Sequence, residues 1–473
     1  MTEAIPYLMP PKLKLCLILF LAAGSSIVPK PAPAAEHSVL PELPEYSWNA
    51  MTPGSSDRPN HPVDRYSVSL SSAFETSYTN NPSVVAALKN IEIAKAQIKT
   101  AGARPNPQLA IQYGFGTPYT EVVSGNTQQL GGNQLFEMGG KRGARLRYAR
   151  ANYTLADYQL SDLRYDVRSA VRKGYAELAA AEANIDLVEN QRVLVQRLSG
   201  IAERRFQAGK SEEVETLQAK LALDQFETLR NSAFTRLRQA SIQLDYLLGF
   251  RPDRDLDVED NGLFRLSLTR TELVPPPNEP IPPLETLLAQ AFDQRPDLKA
   301  AKQQVVTTNA ATRLAKAQAV PDILIGAGWA FTTYKKSQNV RQQEGAYLNF
   351  NMDLPVLYHH QGEIAAAKSA NAQAQLQAAA MAQKVEVDVR AAYSQIASAR
   401  ANLAQYQKFL IPQALNVVRK AQDSYENGKS DLSNAIVAQQ QFQQTFSSYF
   451  DTVVSYQTAW ADLETAVGRK LEF

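Results

Sequence analysis

The chain has 473 residues, of which 44% are hydrophobic and 20% charged, and its 49 Lys and Arg nearly balance its 47 Asp and Glu. The net charge of +2 argues against a nucleic-acid partner, which normally requires a basic excess. Cys16 is the only cysteine and lies in a segment expected to be removed, which excludes a disulfide framework, a thiolate metal site and a cysteine nucleophile from the processed chain.

Residues 1–35 are predicted to be a cleaved signal peptide. Basic residues precede an apolar run over 15–23, and small residues at 32–35 offer cleavage positions. The run is too short for a spanning helix, which needs about 20 residues, and a buried N-terminal helix is the alternative. The residues before Cys16 are not small, which argues against a lipid anchor. No later apolar run reaches membrane-helix length, so any membrane-spanning part must consist of strands.

Two proline-rich segments divide the chain. Residues 36–72 are predicted to be a proline-rich N-terminal arm, of which residues 36–62 are expected to be irregular. Residues 254–283, which hold a second proline cluster between Pro275 and Pro283, are predicted to be an extended linker or equatorial segment.

The sequences on the two sides of the linker repeat one another. The motif at 206–211 recurs at 425–430 with an offset of 219, and the same offset relates Gly249 to Gly468. This period is much longer than that of a solenoid repeat. We therefore predict a duplicated domain, with one copy over 73–253 and the other over 284–473.

Each copy is predicted to begin with a helix that ends at a proline and to continue with two strands. The helices cover about 83–103 and 297–319, and the strands cover 107–117, 127–137, 322–334 and 344–354. Apolar residues alternate with small or polar ones along the strands, which is typical of a membrane β-barrel. The residues assigned to the lipid-facing side are Ile111, Tyr113, Phe115, Ile325, Trp329 and Phe331. A soluble hairpin packed on a core is the alternative.

Very long helices are predicted to follow the strands. A segment without proline from 141 to 207 corresponds to roughly 100 Å of helix, and within it a coiled-coil stripe with one stutter near Gly174 runs from Tyr153 to Ala202. A return helix covers 211–248, and helices at 361–426 and 430–467 repeat the arrangement. The turns at 209–211 and 428–430 are the predicted tips, where a glycine ends one helix and Ser211 or Ser430 caps the next.

Four strands are too few to close a membrane barrel, because the smallest closed ones use about eight. Unpaired edge strands in hydrocarbon would leave backbone groups without hydrogen-bond partners. Several copies are therefore expected to pool their strands and to join their long helices in one bundle. The predicted fold is mainly α with a small membrane β-barrel part.

The strand-to-helix junction Phe136-Glu-Met-Gly-Gly-Lys-Arg142 resembles that of the TolC-like outer-membrane factors, most of all their cobalt–zinc–cadmium (CzcC-like) branch. The Arg-Pro-Asp-Leu motif at 295–298 and both tips are also typical of the family, and the resemblance covers about 73–473. It implies a homotrimer with a 12-stranded barrel in outer-membrane lipid and a 12-helix periplasmic tunnel. The implied partners are a periplasmic adaptor and an inner-membrane pump of the resistance-nodulation-division type.

The resemblance also implies roles for residues at the tips. Tyr425 and Glu215 match a pair that holds the periplasmic end closed, and an ordinary coiled-coil contact is the alternative. The family's acidic constriction positions are Asn434 and Val437 here, so that ring is absent. The expected adaptor-contacting residues are Gly209, Lys210, Ser211, Gly428, Lys429 and Ser430.

The remaining motifs indicate no catalytic, cofactor-binding or metal-binding site. Gly139, Gly140, Lys141 and Arg142 lack the spacing of a phosphate loop and are expected to bend the strand into the helix. His359-His360 lacks further metal ligands nearby. The sequence therefore predicts a passive exit duct, with heavy-metal cations favoured as cargo by the junction alone. The alternatives are a soluble periplasmic coiled-coil scaffold and the outer-membrane component of a type I secretion system.

Overall fold

The computed structural model of the chain describes residues 65–114, 124–251, 255–258, 281–336 and 339–470, all within the unit Asp57–Phe473. The predicted signal peptide, most of the proline-rich arm, the cluster from Pro275 to Pro280 and the strand residue Phe115 lie outside the described residues. In the described part of the chain, no helix combines the length and the apolar character needed to cross a membrane.

The described residues of the first half form four helices and four strands. In chain order they are β1 (Arg65–Val68), α1 (Leu70–Asn80), α2 (Pro82–Gly102), β2 (Gln108–Gly114), β3 (Ser124–Phe136), α3 (Lys141–Gln207), α4 (Glu213–Leu248) and β4 (Asp255–Val258). The long helix α3 has the bounds of the predicted proline-free segment. The glycine-rich segment expected at 127–137 is a strand of 13 residues, because backbone pairing with its neighbours does not depend on side chains.

The second half repeats this order without the short strands. It comprises α5 (Leu284–Gln294), α6 (Pro296–Gln318), β5 (Ile323–Lys336), β6 (Asn339–Met352), α7 (Gln361–Gln405), α8 (Ile411–Glu426) and α9 (Leu432–Val467). The single helix expected over 361–426 is instead interrupted by a π-helical turn at Tyr406–Leu410. Pro412 follows this turn and lacks the N–H of a regular helical residue, which explains the local change of hydrogen-bond register.

The arm and the linker meet in a small parallel sheet that the sequence patterns do not reveal. β1 pairs with β4, from Arg65 opposite Asp255 to Val68 opposite Val258. The hydroxyl of Tyr175 on α3 donates to the carbonyl oxygen of Val68 at 3.1 Å. The end of the predicted proline-rich arm, from residue 65 to residue 72, thus holds β1 and the start of α1. Four-residue strands show too little periodicity to be recognised.

The duplication reappears as a repeated contact between helix ends. Gly249 and Gly468 end α4 and α9 in the left-handed conformation, with φ of 76° and 70°. The side-chain amide of Asn81 donates to the carbonyl of Leu247 at 2.9 Å, and Arg295 donates to the carbonyl of Ala466 at 3.4 Å. A Cβ on Gly249 would lie 2.4 Å from the carbonyl oxygen of Asn80, and one on Gly468 would lie 2.6 Å from the Cα of Arg295. Only glycine fits either position.

The long helices pack pairwise around small and branched apolar residues. Ile185, Val188 and Val195 on α3 pack against Ala222, Phe226 and Ala233 on α4 in one buried cluster. On α9, the rings of Phe442 and Phe446 lie 4.5 Å apart, and that of Phe450 lies 6.3 Å from Phe446. Burial of these apolar faces holds the two hairpins together, since long helices are stabilised mainly by tertiary packing.

Candidate functional site

The four longer strands form one antiparallel sheet in the order β2-β3-β5-β6. The two halves of the chain pair directly through β3 and β5, where Leu130 lies opposite Trp329. β2 and β6 are the outer strands, and each has a neighbour on one side only within this sheet. The sheet therefore presents two faces and two open edges.

One face of the sheet is mainly apolar, although Gln128, Gln134 and Glu344 also lie on it. Ile111 on β2, Leu130 on β3 and Trp329 on β5 are aligned across the strands, and the Ile111 side chain is 72% exposed. The same face holds further apolar residues, namely Leu109, Tyr113, Phe136, Ile325, Phe331, Leu348, Phe350 and Met352. An exposed apolar surface of this extent marks contact with a membrane or a partner.

The opposite face is made of amides and small residues. Gly131, Gly328 and Tyr347 are aligned across three strands, and a Cβ on Gly131 would lie 2.4 Å from the Tyr347 hydroxyl oxygen. Beside them, Gly326 lies directly opposite Asn133 and Asn349. The two glycines opposite Tyr347 thus leave room for its ring on a polar surface.

The first strand-to-helix junction is tied to the second half of the chain. Gly139 and Gly140 adopt left-handed conformations, with φ of 65° and 69°. The Lys141 ammonium lies 2.8 Å from the Asp322 carboxylate, and that carboxylate also accepts from the Met138 N–H at 3.0 Å. Arg142 donates to the carbonyl of Gly102 at 2.6 Å. The basic pair therefore contacts the protein itself, and Asp322 is a partner that sequence reasoning missed.

The second junction has a different construction. His360 takes the left-handed conformation that Gly140 takes in the first, with φ of 57°. Its Nδ1 atom lies 3.7 Å from the Glu363 carboxylate, and the Tyr358 hydroxyl donates to Glu363 at 2.6 Å. Across the described residues, no cluster of three or more potential metal ligands occurs, and His359 is in none.

Both predicted tips are tight turns between helices. Gly209 and Gly428 have φ of 66° and 69°, and the N–H groups of Lys210 and Lys429 donate to carbonyls five residues earlier at 2.8 and 2.7 Å. These four residues are exposed.

The serines at the tips do not cap the helices that follow, contrary to the sequence expectation. The N-cap residues are Glu212 and Asp431, and neither makes a side-chain capping bond. The hydroxyl oxygens of Ser211 and Ser430 are buried and have no hydrogen-bond partner. In both helices the N-cap is therefore the residue after the serine, and the backbone of that N-cap residue is extended.

Tyr425 is fully buried between the two hairpins near the tips. Its ring packs with residues from α3, α4 and α9, and the Arg205 guanidinium lies 5.1 Å from its centroid. Burial, and next the negative charge of Glu215, raise the pKa of Tyr425. The Tyr425 hydroxyl and Glu215 Oε2 are both buried without a hydrogen-bond partner. The structure thus places the two residues near each other without a hydrogen bond and adds Arg205, a cation that sequence reasoning missed.

The Arg-Pro-Asp-Leu motif forms a charged cluster at the start of α6. Arg295 donates to Asp297 at 2.9 Å and to Asp388 at 2.5 Å. Asp162 on α3 is partly buried beside this cluster, and burial followed by repulsion from Asp297 raises its pKa to about 6. The motif therefore links α6 to α7 and carries more negative charge than Arg295 alone neutralises.

Asp162→Asn should stabilise the protein at neutral pH and have little effect in acid. An aspartate pKa raised in the folded state means that the folded protein binds the proton more tightly, so Asp162 costs stability as the pH rises from about 4 through 6. We expect a gain of about 1 kcal/mol at pH 7.5, discounted for solvent screening. Thermal unfolding of the purified protein at pH 4 and pH 7.5 measures this gain. Asp157→Asn, exposed on the same helix, is the control, and an equal gain at both pH values would contradict the explanation.

Comparison with known families identifies relatives along nearly the whole described chain. A family model described as outer membrane efflux protein matches residues 75–250 and 287–469. The two matched segments correspond to the two halves of the duplication. The chain is also 22% identical over 402 residues to the cobalt-zinc-cadmium resistance protein CzcC of Cupriavidus metallidurans, covering 85% of this chain and 90% of that protein.

Solved structures share the fold at low sequence identity. CusC, described as forming a transmembrane channel, superposes with a TM-score of 0.67 at 17% identity over 85% of this chain and 92% of its own. The CmeC outer membrane channel of Campylobacter jejuni gives a TM-score of 0.67 at 16% identity over 84% of this chain and 85% of its own. A membrane protein from Pseudomonas aeruginosa gives 0.69 at 17% identity over 85% and 90%.

Proposed function

This chain belongs to the outer membrane efflux protein family, and from that membership we propose that it is the outer-membrane exit duct of a tripartite efflux system. The observation that carries the proposal is the sheet, with one apolar face, one face of amides and glycines, and two open edges. The apolar face suits hydrocarbon, and the polar face suits a water-filled lumen. A duct of this kind works passively and draws its energy from another component.

The open edges support a homotrimer. In hydrocarbon, the free backbone groups of β2 and β6 would each lack a hydrogen-bond partner, which costs several kcal/mol per group. Pairing β6 of one copy with β2 of the next satisfies both edges, and three copies give a 12-stranded barrel of a size known for membrane barrels. The two long hairpins of each copy would then contribute four helices to a 12-helix tunnel below it.

The partners and the cargo follow from the exposed tips and from the relatives. Exposed Gly209, Lys210, Gly428 and Lys429 would contact a periplasmic adaptor, and an inner-membrane pump of the resistance-nodulation-division type would supply the energy. The likeness to a cobalt-zinc-cadmium resistance protein favours divalent heavy-metal cations as cargo. The sheet argues against a soluble periplasmic scaffold, since its apolar face would remain in water.

Membrane fractionation and conductance together test this proposal. The processed protein should be recovered with the outer membrane as a detergent-requiring trimer and should form discrete channels in planar bilayers. Recovery as a water-soluble monomer would overturn it. Dependence of cellular zinc, cobalt or cadmium tolerance on the gene would separate metal efflux from drug or protein export.

Arg205→Ala should open the periplasmic end of the duct. The Arg205 guanidinium lies over the Tyr425 ring, on which the Glu215 charge also acts, and a partly desolvated cation–π contact contributes about 1–2 kcal/mol. Its loss should raise the open fraction of single channels by about tenfold. Single-channel recording checks this, with Arg204→Ala as the control, because Arg204 is the exposed neighbour on the same helix. An equal open fraction in the two variants would show that these residues do not form a gate.

A further inference from the structure

We propose that residues Leu354–His360, which join β6 to α7, form a membrane-surface anchor that lies among the phospholipid headgroups on the side of the bilayer facing the helices. This anchor segment is distinct from the barrel surface, although the inference rests on the proposed function, which places β6 in the bilayer. Its partner is the lipid surface itself.

The anchor segment continues the apolar surface of the sheet beyond the last paired residue of β6. Leu348, Phe350 and Met352 are exposed on the apolar face of that strand. After the strand ends, Leu354 and Val356 are also exposed, and Leu357 is 96% exposed, the highest value among the exposed large apolar side chains of the described chain. Exposed apolar residues at every second position from Leu348 to Val356 fit a bilayer that extends past the strand end.

The composition of the anchor segment matches the interface between hydrocarbon and water. Its apolar residues are followed by Tyr358, His359 and His360, and it contains no acidic residue. Tyrosine is enriched at the headgroup level of membranes because it has an apolar ring and a polar tip. The Tyr358 hydroxyl donates to Glu363, the first carboxylate of α7.

Local hydrogen bonds give the anchor segment a defined conformation. The Val356 N–H donates to the carbonyl of Leu354 at 2.8 Å, and the His359 N–H donates to the Gln361 side chain at 2.8 Å. His360 holds a left-handed conformation that costs free energy in residues other than glycine. A strained turn that presents an unpacked Leu357 to the surroundings is more consistent with an interaction surface than with a simple connection.

The equivalent junction of the first half provides a contrast within the same chain. It has four residues between strand and helix, from 137 to 140, whereas the second has eight, from 353 to 360. The first is held to the protein by the Lys141–Asp322 ion pair and by a pair between Glu137 and Arg145. The additional length therefore belongs to one copy of the duplication only, and the first junction exposes a single large apolar side chain, that of Met138.

A depth measurement with single cysteines tests the anchor. In a Cys16→Ser background, Leu357→Cys, Leu348→Cys and Lys220→Cys would each carry an environment-sensitive fluorophore. The labelled full-length trimers would be reconstituted in phosphatidylethanolamine and phosphatidylglycerol vesicles. Spin labels on the headgroup or deep in the acyl chain then quench the fluorophores according to depth.

We expect position 357 to lose about half of its emission to the headgroup label and much less to the deep label. Position 348 should show the opposite preference, and position 220 should respond to neither.

Every other outcome contradicts either the anchor or the proposed function. If position 348 is quenched by lipid but position 357 is quenched only by aqueous iodide, the anchor is wrong and the duct proposal survives. If position 357 is shielded from both lipid and iodide, a neighbouring copy of the chain covers it, and the lipid assignment is overturned. If position 348 also fails to respond to lipid, the proposed function itself fails.

Discussion

Ile111→Arg should abolish assembly of the protein in the outer membrane, while Gln112→Arg should leave assembly intact. The two residues are adjacent on β2 and occupy opposite faces of the sheet. Ile111 lies opposite Leu130 in the middle of the apolar face, whereas Gln112 lies opposite Gln129 on the amide face. An arginine on the lipid face near the bilayer midplane costs about 2–4 kcal/mol, and a trimer incurs this cost three times.

The amount of heat-modifiable trimer in the outer-membrane fraction measures this effect. Ile325→Arg on β5 tests the same face from the second half of the duplication, since Ile325 lies opposite Phe350. Normal assembly of Ile111→Arg would contradict the assignment of the apolar face to lipid. Equal loss of both Ile111→Arg and Gln112→Arg would show that the strand tolerates no charge on either face, which the duct model does not allow.

Gly328→Ala should destabilise the sheet strongly, while Gly345→Ala should be nearly neutral. A Cβ on Gly328 would lie 2.4 Å from the Leu130 carbonyl oxygen and 2.6 Å from the Gly131 Cα, both of them backbone atoms of the paired strand. Backbone cannot rotate away as a side chain can, so we expect a loss of about 3 kcal/mol or more per copy. A Cβ on Gly345 would have no atom within 4 Å.

The dissociation temperature of the trimer in detergent measures the two substitutions. Tyr347→Ala provides a further control, because the Tyr347 hydroxyl lies 2.7 Å from the same Cβ position. Adding Tyr347→Ala to Gly328→Ala should not restore stability if the backbone contact with β3 is responsible. Full recovery in the double variant would show that the tyrosine alone caused the loss.

The parts of the fold that depend on local periodicity can be predicted from the sequence. The lack of proline from 141 to 207 predicts the long helix α3, apolar spacing of three and four predicts its packed face, and alternation separates Ile111 from Gln112. The repeated tip motif predicts two turns of the same geometry, and Gly209 and Gly428 share nearly the same φ. Each of these features arises from residues within a few positions of one another.

Other features become visible only when distant segments meet. The pairing of β1 with β4, the Lys141–Asp322 ion pair and the position of Arg205 over Tyr425 join residues separated by more than 150 positions, and no local pattern encodes them. The burial of the Ser211 and Ser430 hydroxyl oxygens likewise depends on how the tips pack.

The amino-acid sequence by itself determined the duplication, the helix and strand types and the two chemical faces of each strand, because backbone periodicity fixes them locally. Only the tertiary structure decided the strand order β2-β3-β5-β6, which joins the two halves through β3 and β5 and leaves β2 and β6 as edges. Strand order results from the competition of many long-range pairings for the same hydrogen-bonding groups, and that competition is settled by packing of the whole chain.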